Sequence, residues 1–155
     1  MTIDVYTIID RKKKTHQLPT ERLTHRISDY TLQKAVPIKG NELLLLKNII
    51  PYWIEFSSKK VIFAEVENAD ALSNSPFITD AIYEKAKKIY CVPFSIFLSL
   101  TLEIKSLKAE IILGLHTPRS GSTLLCKIIS QAKSVFVMSE PISLNLIERK
   151  YSLKD

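Results

Sequence analysis

The chain has 155 residues, 46% hydrophobic and 25% charged, with a formal net charge of +6 at pH 7. That length suits one ordinary domain with a real core, and the composition is that of a soluble globular protein. Two cysteines, Cys91 and Cys126, with no C-x-x-C pair, argue against a disulfide scaffold or a zinc site, and His16, His25 and His116 are too scattered in sequence to form a metal cluster motif.

Residues 2–10, TIDVYTIID, put Ile3, Val5, Thr7 and Ile9 on one side of an extended chain, which predicts a strand. The run Arg11-Lys12-Lys13-Lys14 follows, in an N-terminal quarter with eight Lys/Arg against four Asp/Glu over residues 1–40. No aromatic residue interleaves the run, so a solvated turn is expected rather than a nucleic-acid contact. Neither a secretory leader nor a membrane span is expected: Asp4, Asp10 and the basic run interrupt the first, and the apolar stretches at 43–46 and 94–102 fall short of the roughly 18–20 residues needed to cross a bilayer. A cytoplasmic location follows.

Residues 11–40 yield no assignment. The aromatic and β-branched runs 52–56 and 61–66, joined by Ser57-Ser58-Lys59-Lys60, predict a hairpin. Its aromatic residues Trp53, Phe56 and Phe63 are expected to form the hydrophobic face of that hairpin before any acceptor pocket. Ser75-Pro76 reads as an N-cap with proline at the first helical position, and Ile78, Ile82, Ala86 and Ile89 continue at helical spacing, predicting an amphipathic helix that ends near Tyr90. Residues 94–104 are ambiguous: Phe94, Ile96, Leu98, Leu100, Leu102 and Ile104 alternate as in a strand, yet Phe94, Phe97, Leu98, Thr101 and Ile104 fit a helix. Periodicity favours the strand.

Residues 110–115 then read as a short buried strand, 123–133 as a helix striped by Leu124, Leu125, Ile128, Ile129 and Ala132, and 135–138 as a second buried strand. Strand, loop, helix and strand within about thirty residues is a βαβ unit with parallel strands and a right-handed crossover. The expected architecture is an α+β region over residues 1–107, followed by the start of an α/β, P-loop-type domain over 108–155. Cys126 is expected to pack in the core under the helix.

The loop between the first strand and the helix carries the chemistry. Free backbone N–H groups and the helix dipole favour an anion at such a helix start. Gly121 lets the backbone approach closely, Ser120, Ser122 and Thr123 add hydroxyl donors, and Arg119 adds a planar cation able to grip two oxygens. Aligned with the nucleotide loop G-x-x-x-x-G-K-S/T on Gly121, the chain has His116 at the first glycine and Ser122 at the lysine. That missing lysine counts against an ATPase, a GTPase or a nucleotide kinase relative.

The string Pro118-Arg119-Ser120-Gly121-Ser122-Thr123, with His116-Thr117 before it and Ser139-Glu140-Pro141 after the second predicted strand, resembles the 5′-phosphosulfate-binding loop of the sulfotransferase family. The likeness covers residues 110–145. It implies a P-loop-type fold, 3′-phosphoadenosine 5′-phosphosulfate (PAPS) as cosubstrate without a metal, and transfer of its sulfuryl group to a hydroxyl or amine. Carried over by position, Pro118, Arg119, Ser120, Gly121, Ser122 and Thr123 would hold the 5′-phosphate and sulfuryl group, and Arg119 would offset charge on the bridging oxygen as its bond to sulfur breaks. Glu140 would be the general base for the acceptor or the cap of the turn at Pro141, and His116 a hydrogen-bond partner of the loop backbone before a catalytic group. The family's segment for the cofactor's 3′-phosphate has no counterpart here, so the sequence reads as the front part of a longer enzyme. A non-catalytic nucleotide, anion or protein-binding module stands beside that reading, as does self-association through unpaired sheet edges, whereas no nucleic-acid or membrane partner is expected.

Overall fold

The computed structural model describes residues 2–12, 27–72, 75, 78–104, 111–112, 114, 120–132, 134–139, 143–144 and 146–147. Its body is a six-stranded antiparallel sheet. The strands are β1 (Thr2–Arg11), β2 (Tyr30–Lys34), β3 (Ile38–Lys39), β4 (Ile49–Glu55), β5 (Lys60–Glu65) and β6 (Lys88–Pro93). Their order is β2-β1-β6-β5-β4, with β3 also paired to β1. Among the described residues four α-helices accompany them: α1 (Gly40–Leu43), α2 (Ile78–Lys85), α3 (Phe94–Glu103) and α4 (Ser122–Ile129).

This architecture overturns the expected P-loop-type α/β fold. Every strand pairing is antiparallel, and the described members of the two predicted parallel strands, Ile111, Ile112, Gly114 and residues 135–138, belong to no strand. A buried parallel strand needs partners on both sides and helices on both faces. Here Ile111 and Ile112 are 81% and 83% exposed, so neither condition is met.

The central strand β6 shows how the sheet is held. Ile89 and Cys91 point to one face, Tyr90 and Val92 to the other, and all four are buried. The first face packs under α2 through Ile78, Ala81 and Ile82, together with Ala86 just after the helix, Ile62 and Ala64 of β5 and Tyr52 of β4. The second packs under α1 and α3 through Leu43, Ile96 and Leu100, with Ile3 and Val5 of β1. A strand covered on both faces loses the apolar and polar alternation of a half-exposed one and becomes a continuous apolar run, which explains Ile89-Tyr90-Cys91-Val92.

That pairing corrects one sequence expectation and decides a segment that the sequence left open between strand and helix. The helix predicted to run to Tyr90 stops at Lys85, because the Lys87 N–H turns to the Glu65 carbonyl (2.7 Å) and opens β6 against β5. The alternating segment after Pro93 is the helix α3, not a strand. Pro93 ends β6 opposite Lys60, and the next ten residues cover the sheet with Ile96 and Leu100, spaced one helical turn apart. Phe63 of β5 and Phe97 of α3 meet with ring centroids 6.1 Å apart. Leu98 and Leu102 take the outward side of α3, at 60% and 76% exposure, which is why its apolar residues recur at every second position without forming a strand.

The hairpin is formed as expected. β4 and β5 pair antiparallel across residues 56–59, with Lys59 at φ 53°. Its edge strand β4 carries Pro51 and a register shift between Pro51 and Trp53, two features that discourage further strand pairing. On the opposite edge, β2 and β3 flank β1 on either side of the break at Ala35-Val36-Pro37, and the Ala35 N–H still reaches the Val5 carbonyl at 2.9 Å. Among the described residues no helix is long and apolar enough to cross a membrane.

Candidate functional site

The loop singled out from sequence leads into α4. Its described part begins at Ser120, which is exposed; Pro118 and Arg119 lie outside the described residues, as do His116 and Glu140. Gly121 is the N-cap of α4 and adopts the left-handed conformation, φ 83° and ψ 13°. A Cβ added there would meet nothing within 4 Å, so the requirement for glycine comes from the backbone angle and not from crowding. The Gly121 carbonyl accepts from the N–H groups of Leu124 (2.9 Å) and Leu125 (3.1 Å), closing the first turn.

The N–H groups of Ser122 and Thr123 come before Leu124, the first N–H to bond within the helix, as the opening N–H groups of any helix do. No side chain caps this end at Gly121. Ser120, Ser122 and Thr123 therefore stand with their hydroxyls at the positive end of the helix dipole. Ser122 is half-buried, and Ser120 and Thr123 are exposed. At the other end Lys127 occupies the last turn, and the Ser130 N–H bonds the Cys126 carbonyl at 2.9 Å.

The helix predicted over 123–133 is thus present as Ser122–Ile129, but its surroundings differ from expectation. Leu124, Leu125, Ile128 and Ile129 make one stripe and are 64%, 57%, 61% and 41% exposed. In a βαβ unit this stripe would lie on the parallel sheet; among the described residues no parallel strands are formed, and the stripe is exposed. Cys126, expected in a core, is only half-buried. The chain returns to the body farther on, where Met138 and Leu146 pack against the sheet face that carries α2 and Ser143 is buried. Residues 135–138 do not form the strand that was to present Glu140.

The hairpin aromatics pack against other side chains of the body. Trp53 is buried in the α2 face of the sheet, Phe56 meets Phe94 edge-on with centroids 6.3 Å apart, and Phe63 lies on Phe97. An open groove of about 380 Å³ lies between α1 and α3, lined among others by Thr2, Lys39, Asn41, Ser99 and Glu103. It shares no residue with the 118–123 loop.

Two polar clusters were not legible in the sequence. Arg11, which opens the basic run, folds back on α2: its Nε donates to the Tyr83 carbonyl at 2.6 Å and its Nη2 to the Ala86 carbonyl. Its guanidinium also stands 6.0 Å from the centre of the Tyr30 ring. The Tyr30 hydroxyl donates to that of Tyr52 at 3.3 Å. Burial pushes the ionisation of both hydroxyls well above the ordinary tyrosine range. On the opposite face, the Tyr90 hydroxyl donates to Glu65 Oε2, and Lys88 Nζ stands 3.3 Å from Glu65 Oε1. Desolvation first, then the Glu65 carboxylate, raises the Tyr90 ionisation.

Both clusters tie elements together. Cys91 is buried on the sheet, and desolvation pushes its thiol up, away from the thiolate form a nucleophile needs. No group of three or more His, Cys, Asp or Glu among the described residues could hold a metal ion. Of the sequence candidates, the structure brings together Ser120, Gly121, Ser122 and Thr123 at one helix end. Comparison with family models, with curated proteins and with solved structures found no match to this chain.

Proposed function

We propose that the chain binds the phosphosulfate group of a PAPS-type nucleotide at residues 118–123 and serves sulfuryl transfer to a hydroxyl or amine. The observation that carries this reading is the start of α4: Gly121 turns left-handed just before Ser122, so three hydroxyls and the first N–H groups gather at one helix end. An anion is stabilised there by the N–H groups and the dipole together. Arg119 adds the cation that a twofold anion requires.

In the transfer, the acceptor's oxygen or nitrogen attacks sulfur, and the bond from sulfur to the bridging oxygen breaks. The electron pair leaves on the 5′-phosphate of 3′-phosphoadenosine 5′-phosphate, and the acceptor proton passes to Glu140. Arg119 steadies the charge on the departing oxygen, and Glu140 needs only to reach the acceptor proton. This chemistry fits a cytoplasmic enzyme with a diffusible nucleotide as cosubstrate.

A second reading is favoured by one observation, the antiparallel sheet. Open parallel sheets gather ligands at the carboxyl ends of their strands, and here the described residues before the loop, Ile111, Ile112 and Gly114, belong to no strand. On this reading the loop binds an anion or nucleotide without turning it over.

Calorimetric titration with 3′-phosphoadenosine 5′-phosphate tests both. Saturable binding that Arg119→Ala abolishes supports the phosphate site, and no heat at millimolar ligand from folded protein refutes it. Sulfuryl transfer to model phenols and amines that Glu140→Gln stops, with nucleotide binding kept, separates the enzyme from the binding module.

A further inference from the structure

We draw no further inference here: the strongest candidate, the solvent-facing apolar stripe of α4 formed by Leu124, Leu125, Ile128 and Ile129, carries nothing because nothing in the structure shows what covers it.

Discussion

Replacing Arg11 with Met keeps an unbranched apolar stem and removes the guanidinium that holds β1 to the end of α2. Two hydrogen bonds disappear, Nε to the Tyr83 carbonyl at 2.6 Å and Nη2 to the Ala86 carbonyl. Hydrogen bonds from a charged donor are worth about 1.5–3 kcal/mol each, and a cation at a helix carboxyl end adds about 0.3–1 kcal/mol. Arg11 is only half-buried, so water takes over part of the lost bonding at the two carbonyls. The expected net loss is about 2 kcal/mol.

Urea unfolding reads this directly, because Trp53 is the chain's one tryptophan and sits at 8% exposure in the core beneath α2. With a slope of about 2 kcal/mol per molar urea, the midpoint should fall by about 1 M at unchanged slope. Arg11→Lys keeps the charge but offers one donor centre in place of the fork, and it should recover about half of the loss. A Met variant within about 0.5 kcal/mol of the parent would refute the claim that this arginine secures α2.

Core truncation gives a larger effect. Ile82→Ala in α2, a side chain 2% exposed against the sheet, should cost about 2–5 kcal/mol in the same unfolding experiment, whereas Leu102→Ala, 76% exposed on α3, should stay within about 0.5 kcal/mol; equal losses would contradict the assignment of inner and outer faces. Tyr30, Tyr52 and Tyr90 have ionisations raised chiefly by burial, while unfolded tyrosines titrate near about pH 10. Above that pH the unfolded chain loses protons that the folded chain keeps, so stability that is complete below about pH 10 falls as pH rises. Thermal unfolding measured across that pH should show the decline, weakened in Tyr52→Phe, and a flat profile would count against buried hydroxyls. Gly121→Ala forces an alanine to φ 83° with no clash to blame; a cost of about 1–2 kcal/mol confined to the first turn should speed amide exchange at Leu124 and Leu125, and unchanged exchange there would mean that the left-handed N-cap does not hold the helix start.

Local pattern and folded structure agree where one element's own periodicity settles the matter. TIDVYTIID is a strand, the two aromatic runs are a hairpin, and a helix begins directly after Ser120-Gly121. The positions that α4 places at its amino end, Ser120 to Thr123 by number 120–123, were legible for the same reason: an unpaired helix start followed by an apolar stripe is a local signal. Arg11 was not legible, because its partners are backbone carbonyls at positions 83 and 86 and no composition rule points to them.

The disagreements share one cause. Ile78, Ile82, Ala86 and Ile89 keep helical spacing straight through a chain reversal, and only the bond from the Lys87 N–H to the Glu65 carbonyl ends the helix. Residues 94–104 alternate like a strand, and the sheet face left open beside Pro93 makes them a helix. Residues 110–115 and 135–138 have the apolar character of buried strands, but a strand is stable only with partners beside it, and their described members pair with none. The sequence by itself determined a helix that starts within one residue of Thr123 and the strands whose own side chains alternate or cluster. Tertiary structure alone decided the antiparallel order and the two covered faces, because strand pairing is bonding between residues far apart in the chain, which periodicity within one segment does not encode.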